Sequence, residues 1–265
     1  MTYPSAQPLP DDFAEALARA AGRLGAFARE IFWYPNVLST NDVAGVLADR
    51  GAPEGCVVVA NAQSAGRGRH GRSWVSPPGT GLYVSALLRP TEDAPLLTIA
   101  AGVAVAEGIQ VATGLAVDLK WPNDAFVGAR KVAGILAEAN GSTAGSYVIV
   151  GFGINVLPAA YPPEVAVRAT SIEGELGRCV DRGLLLAECL VSLNDRYGDL
   201  QSGRGAAVAD AWRLRAGATF GRRVRGDVGG AILEGVVEDL DETGALVLRT
   251  PVGLAHITAG EVVWL

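Results

Sequence analysis

The sequence predicts an α+β protein: a mixed β-sheet domain flanked by helices, followed by a small all-β barrel. Three observations carry this. Up to about residue 215, strand-like runs mix with helical stretches, and some runs lie close enough to pair as hairpins, unlike a regular strand–helix alternation. After Thr219 the chain breaks into short alternating segments, RRVRG, AILEGVVEDL, ALVLRT, LAHIT and EVVWL, parted by turn signals such as DETG at 241–244. The chain has 265 residues, 49% hydrophobic and 19% charged, which supplies a large core and excludes a disordered chain.

The elements follow in order. Residues 1–10 are polar and Pro-rich and read as a frayed arm. Asp11 and Asp12 open a helix that sets Phe13, Leu17, Leu24 and Phe27 near one face. A strand-like IFWYPNVL spans 31–38, and STND at 39–42 offers N-caps to a short helix carrying Val43, Val46 and Leu47. GCVVVAN (55–61) is a buried strand with Cys56 in the core. A basic, Gly-rich loop covers 64–80, LYVSALLR (82–89) is a strand, and 95–113 is a helix rich in Ala and Val. LAVDLKW (115–121) is a strand, and Gly128 turns the chain toward the strand KVAGILAEA (131–139). YVIVGFGINV (147–156) is a strand whose glycines admit a ligand or another backbone. Helices follow at 181–200 and 206–215. The expected division is an arm and helix at 1–30, a main domain at 31–215 and a β-domain at 216–265.

Three widely spaced cysteines, Cys56, Cys179 and Cys189, give neither a disulfide framework nor a zinc pattern. No Lys or Arg precedes Arg19 and no apolar leader core is visible. The longest strongly apolar uncharged run, Ala94 to Ala106, is too short to span a bilayer and contains Pro95. The expected location is the cytoplasm, without a membrane. A net charge of −6 argues against a surface that coats nucleic acid. Any basic function is local.

Four segments carry chemistry. In AGRGRHGRSW (65–74), Arg67, Arg69 and Arg72 alternate with Gly66, Gly68 and Gly71, and no acidic residue lies between Glu54 and Glu92. Glycines let backbone N–H groups approach phosphates, and guanidinium groups add paired donors. Anion or nucleotide binding, an RNA-contacting tract and a plain solvated loop all remain open. In KWPND (120–124), Asn123 and Asp124 fall at a turn after a strand, and Lys131 follows seven residues past Asp124. An Asp can hold a metal ion and a Lys can neutralise a carboxylate and a phosphate; a turn with one exposed Lys is the alternative. Ser39, Thr40 and Asn41 cap a helix or turn toward a ligand, as does Gln63 just before the basic loop. GFGIN (151–155) suits an aromatic or nucleobase ligand, or a tightly packed core.

Taken together and in this order, STN, GRGRHGRSW, KWPND, RKVAGIL (130–136) and GFGIN resemble the biotin–protein ligases, from about residue 30 to the C-terminus. The resemblance implies the sheet-and-helix fold shared by class II aminoacyl-tRNA synthetases and biotin–lipoate ligases, and an SH3-like C-terminal barrel. It implies two half-reactions: ATP activates biotin to biotinyl-5′-AMP, with Mg²⁺, and biotin then passes to a lysine of a biotin carboxyl carrier protein or domain of an acyl-CoA carboxylase. By position it assigns biotin contacts to Ser39, Thr40, Asn41 and Gln63. Arg67, Gly68 and Arg69 cover biotin and its adenylate. Trp74, Asn123 and Asn155 belong to the ATP side, and Lys131 touches both biotin and the activated phosphate. Lys131, Arg69 and Asp124 form the catalytic set, with Asp124 holding the metal or orienting groups. His70 departs from members that carry another arginine there. Only about 30 residues precede the first strand of the main domain, too few for the winged helix-turn-helix of repressor members, so no operator DNA binding is expected. A lipoate or octanoate ligase or transferase of similar fold, and a non-enzymatic nucleotide- or peptide-binding protein, are the competing expectations.

Overall fold

The computed structural model describes residues 5–90, 96–142, 145–228 and 231–265. Seven strands build the main sheet: β1 (Ile31–Tyr34), β2 (Val57–Ala60), β3 (Gly81–Leu88), β4 (Asp118–Lys120), β5 (Asp124–Val127), β6 (Arg130–Ser142) and β7 (Gly145–Asn155). Their order is β1-β2-β3-β7-β6-β5-β4. Only β1 and β2 pair in parallel; the other ladders are antiparallel, so the sheet is mixed.

Strand β2 shows why its sequence is apolar throughout. Val57 and Val59 enter the large core shared with the helices, while Val58 and Ala60 enter a smaller core on the opposite face. The large core is covered by α1 (Asp11–Ala20), α3 (Leu96–Thr113), α6 (Arg182–Gln201) and α7 (Gly205–Arg215). The smaller core lies under α2 (Thr40–Asp49) through Val43, Ala44 and Ala48. Helix α3 is long and apolar enough by composition to cross a membrane, but it is a core helix, buried over most of its length and exposed only toward its C-terminal end at Gln110 and Val111. A side chain at Gly108 would strike the backbone of Cys189 at 2.6 Å, so the missing Cβ lets α3 and α6 close.

After the short helices α4 (Pro163–Ala166) and α5 (Ile172–Leu176), the C-terminal domain carries β8 (Arg223–Val228), β9 (Ala231–Leu240), β10 (Leu246–Thr250), β11 (Gly253–Ile257) and β12 (Glu261–Trp264). They form one antiparallel sheet, β11-β10-β9-β8-β12. Its inward residues Val224, Val237, Leu246 and Leu248 join the large core. Trp121 Nε1 donates to Gly244 O at 2.9 Å and Thr219 Oγ1 to Leu119 O at 3.1 Å, tying the two sheets together.

Several expectations change. The helix beginning at Asp11 ends at Ala20, and Leu24 and Phe27 reach the core through a separate 3₁₀ turn, Gly25–Ala28. The arm is not frayed where it is described, since Gln7 N donates to Trp33 O at 2.9 Å. Asp124 does not sit in a turn; it opens β5, whose alternation is broken by a register shift between Ala125 and Phe126. Pro95, expected at the start of α3, lies outside the described residues.

Candidate active site

The sheet leaves one long cleft of about 780 Å³, within the usual range for small-molecule sites. At one end, Ser39, Thr40 and Asn41 start α2. Ser39 occupies the N-cap position, yet its side chain makes no capping bond. Gln63 does that work instead: its Oε1 accepts from Thr40 N at 2.8 Å and Thr40 Oγ1 at 3.1 Å. Gln63 Nε2 then donates to Ser76 Oγ at 3.0 Å. The three residues of the STN run are buried and line the cleft.

Asn41 is held from behind. Ser85 Oγ donates to Asn41 Oδ1 at 2.5 Å, and Asn41 Nδ2 donates to Glu138 Oε2 at 2.6 Å. The glycines of β6 and β7 make this possible. A Cβ at Gly151 would fall 2.2 Å from Asn41 Oδ1, and one at Gly153 would fall 2.4 Å from Trp74 Nε1. Trp74 thus lies on a floor of Gly153 and Gly134, where a Cβ would meet both Trp74 and Lys131 at 3.1 Å. What comes close to the glycines of GFGIN is side chains of the pocket itself.

Lys131 sits between these parts. Its Nζ is 2.5 Å from Asp124 Oδ1 and 5.2 Å from the Trp74 ring centroid. The Asp124 contact is ionic and lacks hydrogen-bond geometry, leaving Oδ1 buried without such a bond; Trp74 Nε1 likewise finds no partner among the described residues. The Lys131 backbone is pinned on both sides, its N donating to Arg168 O at 2.7 Å and its O accepting from Thr170 N at 2.9 Å. Asn123 does not point a free amide into the cleft: its Nδ2 donates to Ile135 O at 2.8 Å. Asn155 lines the cleft, and its Nδ2 donates to Thr170 O at 3.0 Å.

The basic loop arches over this floor. Arg67 and Ser73 bridge its limbs, and His70 and Gly71 at its tip adopt left-handed φ of 54° and 72°. Arg69 Nη2 donates to Gly260 O at 3.1 Å, joining the loop to the C-terminal domain. Arg67 pairs with Asp42 and with Glu138. Burial pushes its pKa down, but the hydrogen bonds to Asp42 and Glu138 outweigh that and raise it.

Among the described lining residues, Arg69, Arg72, Lys120, Lys131 and Arg168 face the cleft with a single carboxylate, Asp124, besides Arg67, whose charge Asp42 and Glu138 answer. That is a strong local positive field in a chain of net −6. Lys120 lies 3.8 Å from the Phe126 ring centroid and 5.9 Å from that of Trp264; burial, helped by Arg222, lowers its pKa. The sequence placed Lys120 in a motif without a role, and it missed Arg168 and Trp264, which reach the cleft from distant segments. It also missed Ser85 and Glu138, whose signal was a lone polar residue in an apolar strand.

A mixed sheet bearing an uncharged polar pocket beside a cationic trough defines a protein that can hold a small polar molecule next to an anion. Residues 37–155 match the biotin/lipoate A/B protein ligase family and residues 219–264 match the biotin protein ligase C-terminal domain. The chain is 37% identical to a biotin–[acetyl-CoA-carboxylase] ligase of Paracoccus denitrificans over 233 residues, 84% of this chain and 96% of the relative. It is 32% identical to the bifunctional ligase/repressor BirA of Bacillus subtilis over 96% of this chain and 79% of the relative. Its fold superposes with a TM-score of 0.79 on the Aquifex aeolicus biotin protein ligase solved with biotin and ATP, at 30% identity over 89% of this chain and 99% of that one. The chain belongs to the biotin protein ligase family.

Proposed function

We propose that this protein joins biotin to a lysine of a biotin carboxyl carrier domain of an acyl-CoA carboxylase, through biotinyl-5′-AMP. The observation that carries the reading is the position of Lys131, pinned where the uncharged pocket of Ser39, Thr40, Asn41 and Gln63 meets the cationic trough. The relatives named as biotin ligases support biotin over lipoate as the acid.

In the first step a biotin carboxylate oxygen attacks the α-phosphorus of ATP and pyrophosphate leaves. Two anions must meet, and the charge developing on the phosphoryl oxygens needs fixed cations. Lys131 supplies one on the acid side and Arg69 one from the loop. In the second step a carrier lysine amine attacks the acyl carbon; AMP leaves with the bonding pair and the amine loses a proton. Mg²⁺ would fit here as a companion of the ATP phosphates, with Asp124, the single carboxylate lining the cleft among the described residues, as the protein group to hold it. Bound there, it would neutralise the departing pyrophosphate. The adenylate is a mixed anhydride that water destroys, so a loop folding over it protects the intermediate.

The test is biotin-dependent exchange of labelled pyrophosphate into ATP. Exchange requiring biotin, and falling at least about 100-fold in Lys131→Ala, is expected if Lys131 stabilises the transferring phosphoryl group. Full exchange in the variant removes Lys131 from the reaction, and exchange with lipoate in place of biotin changes the substrate. We also propose that the described residues do not read operator DNA. Helix α1 lies ahead of β1 with Phe13, Ala16, Leu17 and Ala20 buried in the core. A sequence-specific shift in a gel would sink that reading.

A further inference from the structure

Arg67 belongs by position to the basic loop, yet its charge is already answered within the protein. One guanidinium nitrogen donates to Asp42 in the first turn of α2, and the other to Glu138 Oε2 on β6 at 2.9 Å. Glu138 Oε2 is the same atom that accepts from Asn41 Nδ2 at 2.6 Å. The three ionic side chains are each about a third exposed, 38% for Arg67, 32% for Asp42 and 34% for Glu138. One guanidinium between two carboxylates sums to −1. Such a cluster attracts no phosphate, and at this burial its members hold one another more firmly than an isolated surface pair.

We infer that Arg67 is a strap and not an anion-binding cation. Through Asp42 and Glu138 it fastens the first limb of the basic loop to α2 and β6. The two carboxylates are therefore positioning residues: they act through Arg67 on the loop, and Glu138 acts through Asn41 on the polar pocket. The consequence for the ligase rests on the function proposed above. A loop with its strap cut opens more often and lets the adenylate escape, while ATP binds as before. If the carboxylates merely screened a phosphate-binding Arg67, removing them would have the opposite sign, because the freed charge would tighten ATP.

Glu138→Gln and Asp42→Asn, singly and together, keep side-chain size and an amide oxygen for Asn41 while removing the two negative charges that hold Arg67, which weakens the strap without emptying its place. Three readouts separate the outcomes: tryptic cleavage after Arg69 and Arg72 in ligand-free protein, the ATP KM of biotin-dependent pyrophosphate exchange, and free biotinyl adenylate released per pyrophosphate formed. We expect the double variant to be cleaved roughly tenfold faster, the size of one charge-assisted hydrogen bond. Its ATP KM should stay within about twofold and its adenylate release should rise. A fallen ATP KM, or cleavage unchanged, overturns the strap. Wild-type protein with no biotin-dependent exchange overturns the ligase reading instead, and the cleavage rates still decide the strap.

Discussion

Gly151 and Gly153 are two residues apart on β7, on the same face of the sheet, and each makes room for a different pocket side chain. This gives a contrast that single-residue changes can read. In Gly151→Ala the new methyl meets Asn41 Oδ1, so Asn41 must leave the Ser85 and Glu138 bonds that hold it. In Gly153→Ala the methyl meets the Trp74 indole instead. The first should raise the biotin KM by about tenfold or more with little change for ATP, and the second should do the reverse, each displacement costing on the order of 1–3 kcal/mol of overpacking. Steady-state KM values for both substrates check this; equal effects of both changes on both substrates would show that the glycines serve general packing. The sequence marked these positions as glycines in a strand but not what lay on them. Asn41 and Trp74 come from segments roughly 110 and 80 residues away, and no local pattern names a partner across that distance.

At the level of elements, the basic loop needs firm feet, and Arg182 at the start of α6 provides them. Its Nη1 donates to Gly79 O at 3.2 Å and, at longer range, to Asn61 Oδ1 and Gly81 O, so it touches the chain on both sides of the loop. The guanidinium lies 5.7 Å from the Phe13 ring centroid, and a Cβ at Gly183 would strike Asp12 O at 2.3 Å, so α1 supports this corner closely. Arg182→Ala should speed tryptic cleavage within 62–80 several-fold and raise the biotin KM, because the loop entropy held by these bonds is released. Arg182→Lys should restore part of it, since an ammonium reaches fewer of the three acceptors. Unchanged cleavage in Arg182→Ala would leave the residue with a packing role alone. The long strands and the core helices were legible because their patterns run over many residues: α3 and α6 lie within a residue or two of the expected bounds. The four-residue β5 was not, because it starts at an Asp after Pro122 and its alternation is broken after two residues. Arg182 gave no signal at all; its partners lie more than 100 residues upstream.

Across the whole molecule, the C-terminal domain is a working wall of the cleft, since Val262, Val263 and Trp264 line it and Gly260 holds Arg69. One of the contacts that couple it to the main sheet is made by the turn 241–245. Asp241 Oδ1 accepts from Thr243 N at 2.9 Å, Thr243 Oγ1 at 2.7 Å and Ala245 N at 3.0 Å, and Oδ2 lies 2.7 Å from His256 Nδ1. The Gly244 carbonyl presented by this turn takes the Trp121 indole N–H beside Pro122, Asn123 and Asp124. Burial alone would raise the Asp241 pKa, but the hydrogen bonds from Thr243, His256 and the turn backbone outweigh it and hold the pKa below its ordinary 3.8. A carboxyl with a lowered folded-state pKa contributes stability that is present above the unfolded value, and that contribution disappears as pH falls through the folded one. Asp241→Asn should therefore melt about 3 °C below wild type at pH 7, which corresponds to roughly 1 kcal/mol in a chain of this size. The gap should begin to narrow as pH falls past the unfolded carboxyl's ordinary value of 3.8 and should close as pH falls through the lower folded-state value. The ATP KM of the variant at pH 7 should rise with it, because a loosened Gly244 no longer fixes Trp121 and the wall carrying Trp264 shifts against the trough. Melting curves of both proteins from pH 7 to pH 3, read beside the KM at pH 7, test the two halves together. A melting gap that stays constant with pH would assign the loss to the turn's shape instead of its charge, and an unchanged ATP KM would show that the cleft does not depend on this coupling.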